Sequence, residues 1–221
     1  MNTNPALELA QHNMVENQVR PWEVLDARVL DVLATLPRAH FVPKPWQALA
    51  YADVALPIGD DQIMLKPVVE GRILQALLPR HFEHVLEIGT GTGYFAACLA
   101  RLAARVTSID CRAQFVAAAT GKLRDLGIIN VECQHADALA GFAPKQPFDA
   151  IAVTGAVHTL PPRFGEWLKA GGRIFLIRGL EPAMQAVLLQ QAPDGGWIEE
   201  RLFETDAPYL TGAAPVPQFK L

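Results

Sequence analysis

The run Glu87-Ile88-Gly89-Thr90-Gly91-Thr92-Gly93-Tyr94 carries the chemistry most easily read from this chain. Three glycines on alternate positions let a backbone approach a ligand without intervening side chains. Gly91, Gly93 and Ala96 fit the G-x-G-x-x-A dinucleotide fingerprint, which makes a nicotinamide or flavin cofactor one reading. Glu87 favours another. A carboxylate at that point would oppose a pyrophosphate, whereas it would attract the ammonium and sulfonium groups of S-adenosylmethionine. Two further carboxylates follow at useful distances. Asp110 is placed to accept both hydroxyls of a ribose, a role common to either cofactor. Asp137, in His135-Ala136-Asp137-Ala138, suits an acceptor for an adenine amino group, the alternative being a helix N-cap. The cofactor set read from these motifs is Glu87, Gly89, Thr90, Gly91, Gly93, Asp110, Asp137 and Ala138.

The elements that must position this set follow from periodicity. From His84 onward short apolar runs alternate with helical patterns. Strands are predicted at His84–Ile88, Arg105–Ile109, Val131–Gln134, Ala150–Val153 and Arg173–Ile177. Helices are predicted at Tyr94–Leu102, Arg112–Leu126 and Pro161–Leu168. Such alternation builds a doubly wound, mostly parallel sheet covered on both faces. Ala186–Gln190 and Trp197–Glu204, separated by Pro193-Asp194-Gly195-Gly196, read as a closing antiparallel hairpin. The Pro-rich tail from Ala213 reads as extended.

Before His84 the texture is helical and broken by prolines. Leu25, Val29, Leu30, Val32, Leu33 and Leu36 share one helical face, and Pro37 ends that helix. Pro67 suits the first turn of another helix, in which Val69, Ile73 and Leu77 repeat every four residues. Tyr51 to Lys66 reads as irregular. The division expected is residues 1–78, an N-terminal helical extension packed on residues 79–221, the cofactor-binding core.

Composition narrows the function classes. With 221 residues, 51% of them hydrophobic, the chain can bury one α/β core. A net charge of -4 without basic runs argues against a nucleic-acid partner. No uncharged run approaches the ~18 residues of a membrane span, and no signal peptide is visible at the N-terminus. Cys98, Cys111 and Cys133 lack zinc or CxxC spacing and read as buried free thiols, so no metal site is expected. Free thiols suit a cytoplasmic protein.

Beyond the glycine run, Met14–Gln18 (MVENQ), Pro37-Arg38, His40–Pro43, Ala50–Gly59 (AYADVALPIG), Phe148–Pro162 and Leu168–Ile177 resemble the protein-L-isoaspartate O-methyltransferase family, from about residue 14 to about residue 210. The resemblance implies a class I, Rossmann-like methyltransferase fold and S-adenosylmethionine as cofactor, with S-adenosylhomocysteine as product. It also implies transfer of methyl to a side-chain carboxylate in a peptide or protein. The family's substrate loop reads Gly-x-Gly-Gln-Thr-Ile-Ser-x-Pro. Here it is Gly59-Asp60-Asp61-Gln62-Ile63-Met64-Leu65-Lys66-Pro67. Gln62 keeps its place, while Leu65 stands at the serine treated as catalytic and Ile63 at the threonine. Both hydroxyl donors are lost, and Asp60 and Asp61 would repel an acidic substrate. Three functions therefore stay open: a carboxyl methyltransferase of weakened activity, a methyltransferase for another small acceptor, and a non-catalytic cofactor-binding paralogue. His158 reads as a solvated or structural histidine, not a base.

Overall fold

The computed structural model describes residues 5–216. Helix α1 (Pro5–Asn13) runs into a π-helical stretch and a short turn ending at Trp22. Helix α2 (Ala27–Thr35) starts where the Asp26 carboxylate accepts the N–H of Arg28 at 2.9 Å, satisfying a donor that the first turn leaves free. That cap places Leu25 outside the helix and 67% exposed, so it does not join the apolar face expected of it. Helix α3 (Arg38–Phe41) follows Pro37.

The stretch 51–66 is not irregular throughout. It contains strands β1 (Leu56–Gly59) and β2 (Gln62–Met64), paired antiparallel with Leu56 opposite Met64. Asp60 and Asp61 form the turn with φ of 52° and 56°. Two positive φ values are what a tight hairpin turn of the primed type needs. The usual signal is Asn-Gly or Asp-Gly, and Asp-Asp hides it.

Helix α4 (Pro67–Leu77) leads to the main sheet: β3 (His84–Ile88), α5 (Tyr94–Leu102), β4 (Arg105–Asp110), α6 (Ala113–Asp125), β5 (Val131–His135) and β6 (Phe148–Val157). Then come α7 (Pro162–Glu166), β7 (Leu168–Leu180), β8 (Ala183–Gln191) and β9 (Trp197–Thr205). The sheet order is β5-β4-β3-β6-β7-β8-β9. The first five strands are parallel, and β8 and β9 close the sheet antiparallel. The doubly wound architecture and the closing hairpin are as expected. Strands β6 and β7 run longer than expected, because past a register irregularity Ala156 and Val157 pair again with Ile177 and Arg178. The predicted helix 161–168 is confined to Pro162–Glu166, since Leu168 already pairs with Phe148 in the sheet.

Strand pleating divides the core. Val85, Val106, Ala150 and Phe175 pack beneath helices of the N-terminal half, and Met14, Leu33 and Leu74 belong to the same cluster. Leu86, Ile109, Ile151 and Ile174 face the other way, toward Phe164 and Trp167. Cys98 is buried, but Cys111 and Cys133 are only half-buried, and all three are free thiols. Of the tail expected to be extended, residues 217–221 lie outside the described residues. Among the described residues no helix is long and apolar enough to cross a membrane.

Candidate active site

Strand order reverses at β3: the chain moves outward through β4 and β5, then returns to β6 on the other side. The crevice at such a reversal, beyond the carboxyl ends of the strands, is where doubly wound sheets bind ligands. Gly89 and Gly91 lie there, directly after β3. Gly89 has φ of 104°, and a Cβ on it would collide with Thr154 Oγ1. The Thr154 hydroxyl donates to the Ile88 and Gly89 carbonyls at 3.0 and 2.8 Å, locking the loop to β6. Gly91 has φ of 49°, and its Cβ would meet Ile58 Cδ1 of β1 at 3.3 Å.

The cavity above this loop is lined by Gly89, Gly91, Asp110, Asp137, Ala138 and Thr154. Asp110 ends β4, and its carboxylate accepts the N–H of Gly91 at 3.1 Å and of Arg112 at 2.9 Å. These bonds aim the carboxylate across the loop. Asp137 Oδ1 accepts the N–H of Leu139 at 2.8 Å and of Ala140 at 3.2 Å, so it caps its own turn while facing the cavity.

The β1–β2 hairpin supplies one wall through Ile58, Gln62 and Ile63. Its tip is fastened to the start of α6: the Asp60 carboxylate accepts a bond from Gln114 Nε2 and lies 3.7 Å from Arg112 Nε. Asp60 is therefore partly neutralised by Arg112, which the loop sequence did not reveal. Pro208, Leu210 and Thr211 form another wall, held by Tyr209, whose hydroxyl donates to the Gly179 carbonyl at 2.7 Å.

Other residues singled out in the sequence lie off the cavity. Thr90 is buried and shares a hydrogen bond of 2.6 Å with Ser108. Gly93 opens α5, packed against Ala119. Leu65 is 7% exposed and belongs to the core, so its side chain is not among those lining the cavity. His158 is exposed, and its backbone N–H donates to Ala213. Glu87 is wholly buried and points to the face of β3 opposite Ile88, which does line the cavity. Ser108 donates to Glu87 Oε2, and Oε1 has no partner among the described residues. Burial pushes this carboxyl up to about 8 against the Ser108 bond, and the charges of Asp110 and Glu70 push the same way as burial.

Sequence reading missed Arg112, Phe115, Thr154 and the segment Pro208–Thr211 as cavity residues. Thr154 lies within Phe148–Pro162, and that family resemblance is the one signal that points to it. Pro208–Thr211 carries no motif and arrives by folding alone.

The donor set fits S-adenosylmethionine better than a dinucleotide. Among the described residues, two carboxylates, Asp110 and Asp137, line the cavity against one cation, Arg112, itself beside Asp60. That balance suits ribose hydroxyls and a cationic ligand, and opposes a pyrophosphate. Fold and site together define an S-adenosylmethionine-dependent methyltransferase of class I. The protein-L-isoaspartate(D-aspartate) O-methyltransferase family model matches residues 10–205, and the chain belongs to that family.

Individual relatives agree. Protein-L-isoaspartate O-methyltransferase 2 of Anaeromyxobacter sp. is 38% identical over 195 residues, 88% of this chain and 80% of the relative. Protein-L-isoaspartate O-methyltransferase of Rhodopseudomonas palustris is 35% identical over 201 residues, 90% of this chain and 92% of the relative. A crystal structure from Plasmodium falciparum, assigned as a protein-L-isoaspartate O-methyltransferase and in complex with S-adenosyl-L-homocysteine, shares the fold with a TM-score of 0.77. It is 17% identical and covers 90% of this chain and 97% of its own.

Proposed function

We propose that this chain transfers methyl from S-adenosylmethionine to the free α-carboxylate of isoaspartyl residues in peptides and proteins of the cytoplasm, at a rate lowered by its substrate loop. The observation that carries this reading is the meeting of Gln62 and Ile63 with Gly89, Gly91 and Asp110 on one cavity. Cofactor-side and acceptor-side residues thus share a cavity.

When bound, the cofactor supplies a methyl group activated by its sulfonium. Asp110 and Asp137 would hold the ribose and the adenine, and the glycine loop would let the ligand lie on the backbone. A carboxylate acceptor with a pKa of about 4 is already ionised at neutral pH, so no general base is needed. Transfer would form one O–C bond as the cofactor gives up one S–C bond, and the work left to this chain is to hold the acceptor against the methyl group. Gln62 and Ile63 face the acceptor side; the Gln62 amide donates to the Asp60 and Asp61 carbonyls at 3.3 and 3.2 Å, which holds the turn.

A second reading has one observation in its favour. Ile63 presents an apolar surface to the cavity where the family pattern has a hydroxyl, which suits a less polar acceptor. Calorimetric titration paired with radiolabel transfer separates the two. S-adenosylmethionine is expected to bind and NADH to show no heat, with slow label transfer to an isoaspartyl peptide and none to its aspartyl twin. Cofactor binding without transfer to the isoaspartyl peptide would favour the other acceptor or a binding role. NADH binding would return the site to the dinucleotide reading.

A further inference from the structure

The β1–β2 hairpin brings Gln62 and Ile63 to the cavity, yet strands of four and three residues cannot hold a position unaided. Its tip is tied to α6 through Asp60. Its base is tied by a residue that never reaches the cavity. Arg38 of α3 is wholly buried. Its Nε donates to the Ala50 carbonyl at 2.8 Å and its Nη2 to the Leu65 carbonyl at 2.7 Å, while Nη1 pairs with Glu70 of α4. The guanidinium carbon lies 4.9 Å from the ring centroid of Tyr94, the first residue of α5 after Gly93. One planar fork therefore holds both ends of residues 50–65 and references them to the helix that follows the glycine loop. A buried ion pair is a poor device for stability alone, because hydrophobic residues of similar volume often serve as well. Geometry is what a guanidinium fork adds.

We propose that Arg38 is a positioning residue for methyl transfer, setting the acceptor-side hairpin against the cofactor-side loop. This rests on the methyltransferase reading above. Misplacement of reacting groups by about 1 Å can cost ~100-fold in rate. Two variants separate placement from folding. Arg38→Lys keeps a charge for Glu70, but its single ammonium cannot reproduce the fork. Arg38→Met with Glu70→Leu removes both charges together, avoiding an unpaired buried carboxylate.

Hydrogen exchange, cofactor titration and steady-state kinetics are measured on each. In both variants amides of residues 56–65 are expected to exchange at least about tenfold faster, with residues 89–93 unchanged. Cofactor Kd stays within about threefold, while kcat at saturating cofactor falls roughly 10–100-fold. Recovery of hairpin protection and turnover in the double variant overturns the proposal. So does a parallel loss of cofactor affinity and turnover in Arg38→Lys, and so does failure of both variants to fold. If the wild-type protein transfers no methyl to the isoaspartyl peptide, the functional reading fails, and the exchange measurement still decides whether Arg38 holds the hairpin.

Discussion

Restoring a hydroxyl to the substrate loop distinguishes a reading of the loop by alignment from one by structure. Aligned with the family pattern, Leu65→Ser returns the lost serine and should raise turnover. The structure predicts damage instead. Leu65 is 7% exposed within the hydrophobic core, so losing its isobutyl group leaves a cavity and buries a hydroxyl. Large-to-small core substitutions cost about 2–5 kcal/mol. Taking ~3 kcal/mol, and ~2–4 °C per kcal/mol for a domain of this size, Tm should fall by about 6–12 °C. Ile63 is different: it is half-buried and its side chain lines the cavity beside Gln62. Ile63→Thr should cost only ~1 kcal/mol, since little packed volume is lost. Its hydroxyl would meet an acceptor carboxylate, and a hydrogen bond to a charged group is worth roughly 1.5–3 kcal/mol. Made only in the transition state, that bond raises kcat by ~10–150-fold; made equally in the ground state, it lowers KM alone. The assay is kcat and KM on an isoaspartyl peptide, with thermal unfolding of both variants. A folded Ile63→Thr whose kcat/KM stays within threefold of wild type would refute the placement of residue 63 at the acceptor. A Leu65→Ser of unchanged Tm and higher turnover would refute the burial argument.

Glu87 should make stability depend on pH. Its carboxyl keeps a proton up to about 8 in the fold, against an ordinary 4.5, so the folded state binds more protons between those values. Stability from this group is therefore complete below about 4.5 and is lost as pH rises through about 8, on the order of 3–5 kcal/mol in all. Glu87→Gln should flatten denaturant-derived stability between pH 5 and 8, and curves parallel to wild type would show that Glu87 does not titrate there. Asp110→Ala should weaken S-adenosylmethionine binding by ~1.5–3 kcal/mol in calorimetry, through the loss of charge-assisted bonds to the ribose. A loss below ~0.5 kcal/mol would place the carboxylate's role in the loop, where it accepts the Gly91 and Arg112 N–H groups.

Local rules carried the sequence a long way. Strand–helix alternation is set by residues close in the chain and emerges where expected, and the turn after β3, the end of β4 and the turn after β5 bring Gly89, Gly91, Asp110 and Asp137 to one cavity. Periods of two and 3.6 residues do not depend on distant partners. The β1–β2 hairpin escaped because its turn is Asp60-Asp61 at positive φ, a conformation that local preference assigns first to glycine or asparagine. The face on which Glu87 lies follows from pleating, but the hydrogen bond from Ser108 on the next strand and the charge of Glu70 that helps raise its carboxyl are supplied by packing. Arg38 enters the sequence reading only within the Pro37-Arg38 resemblance, with nothing that marks it as buried. Only the convergence of Ala50, Leu65, Glu70 and Tyr94 gives it enough partners to be buried. Pro208–Thr211 reaches the cavity through backbone bonds to Ala156, more than 50 residues earlier. The sequence alone determined the strand–helix alternation of the core and the place of the glycine loop within it. Tertiary structure decided which side chains meet across the cavity, because those contacts join segments far apart in the chain and depend on how the sheet and helices pack.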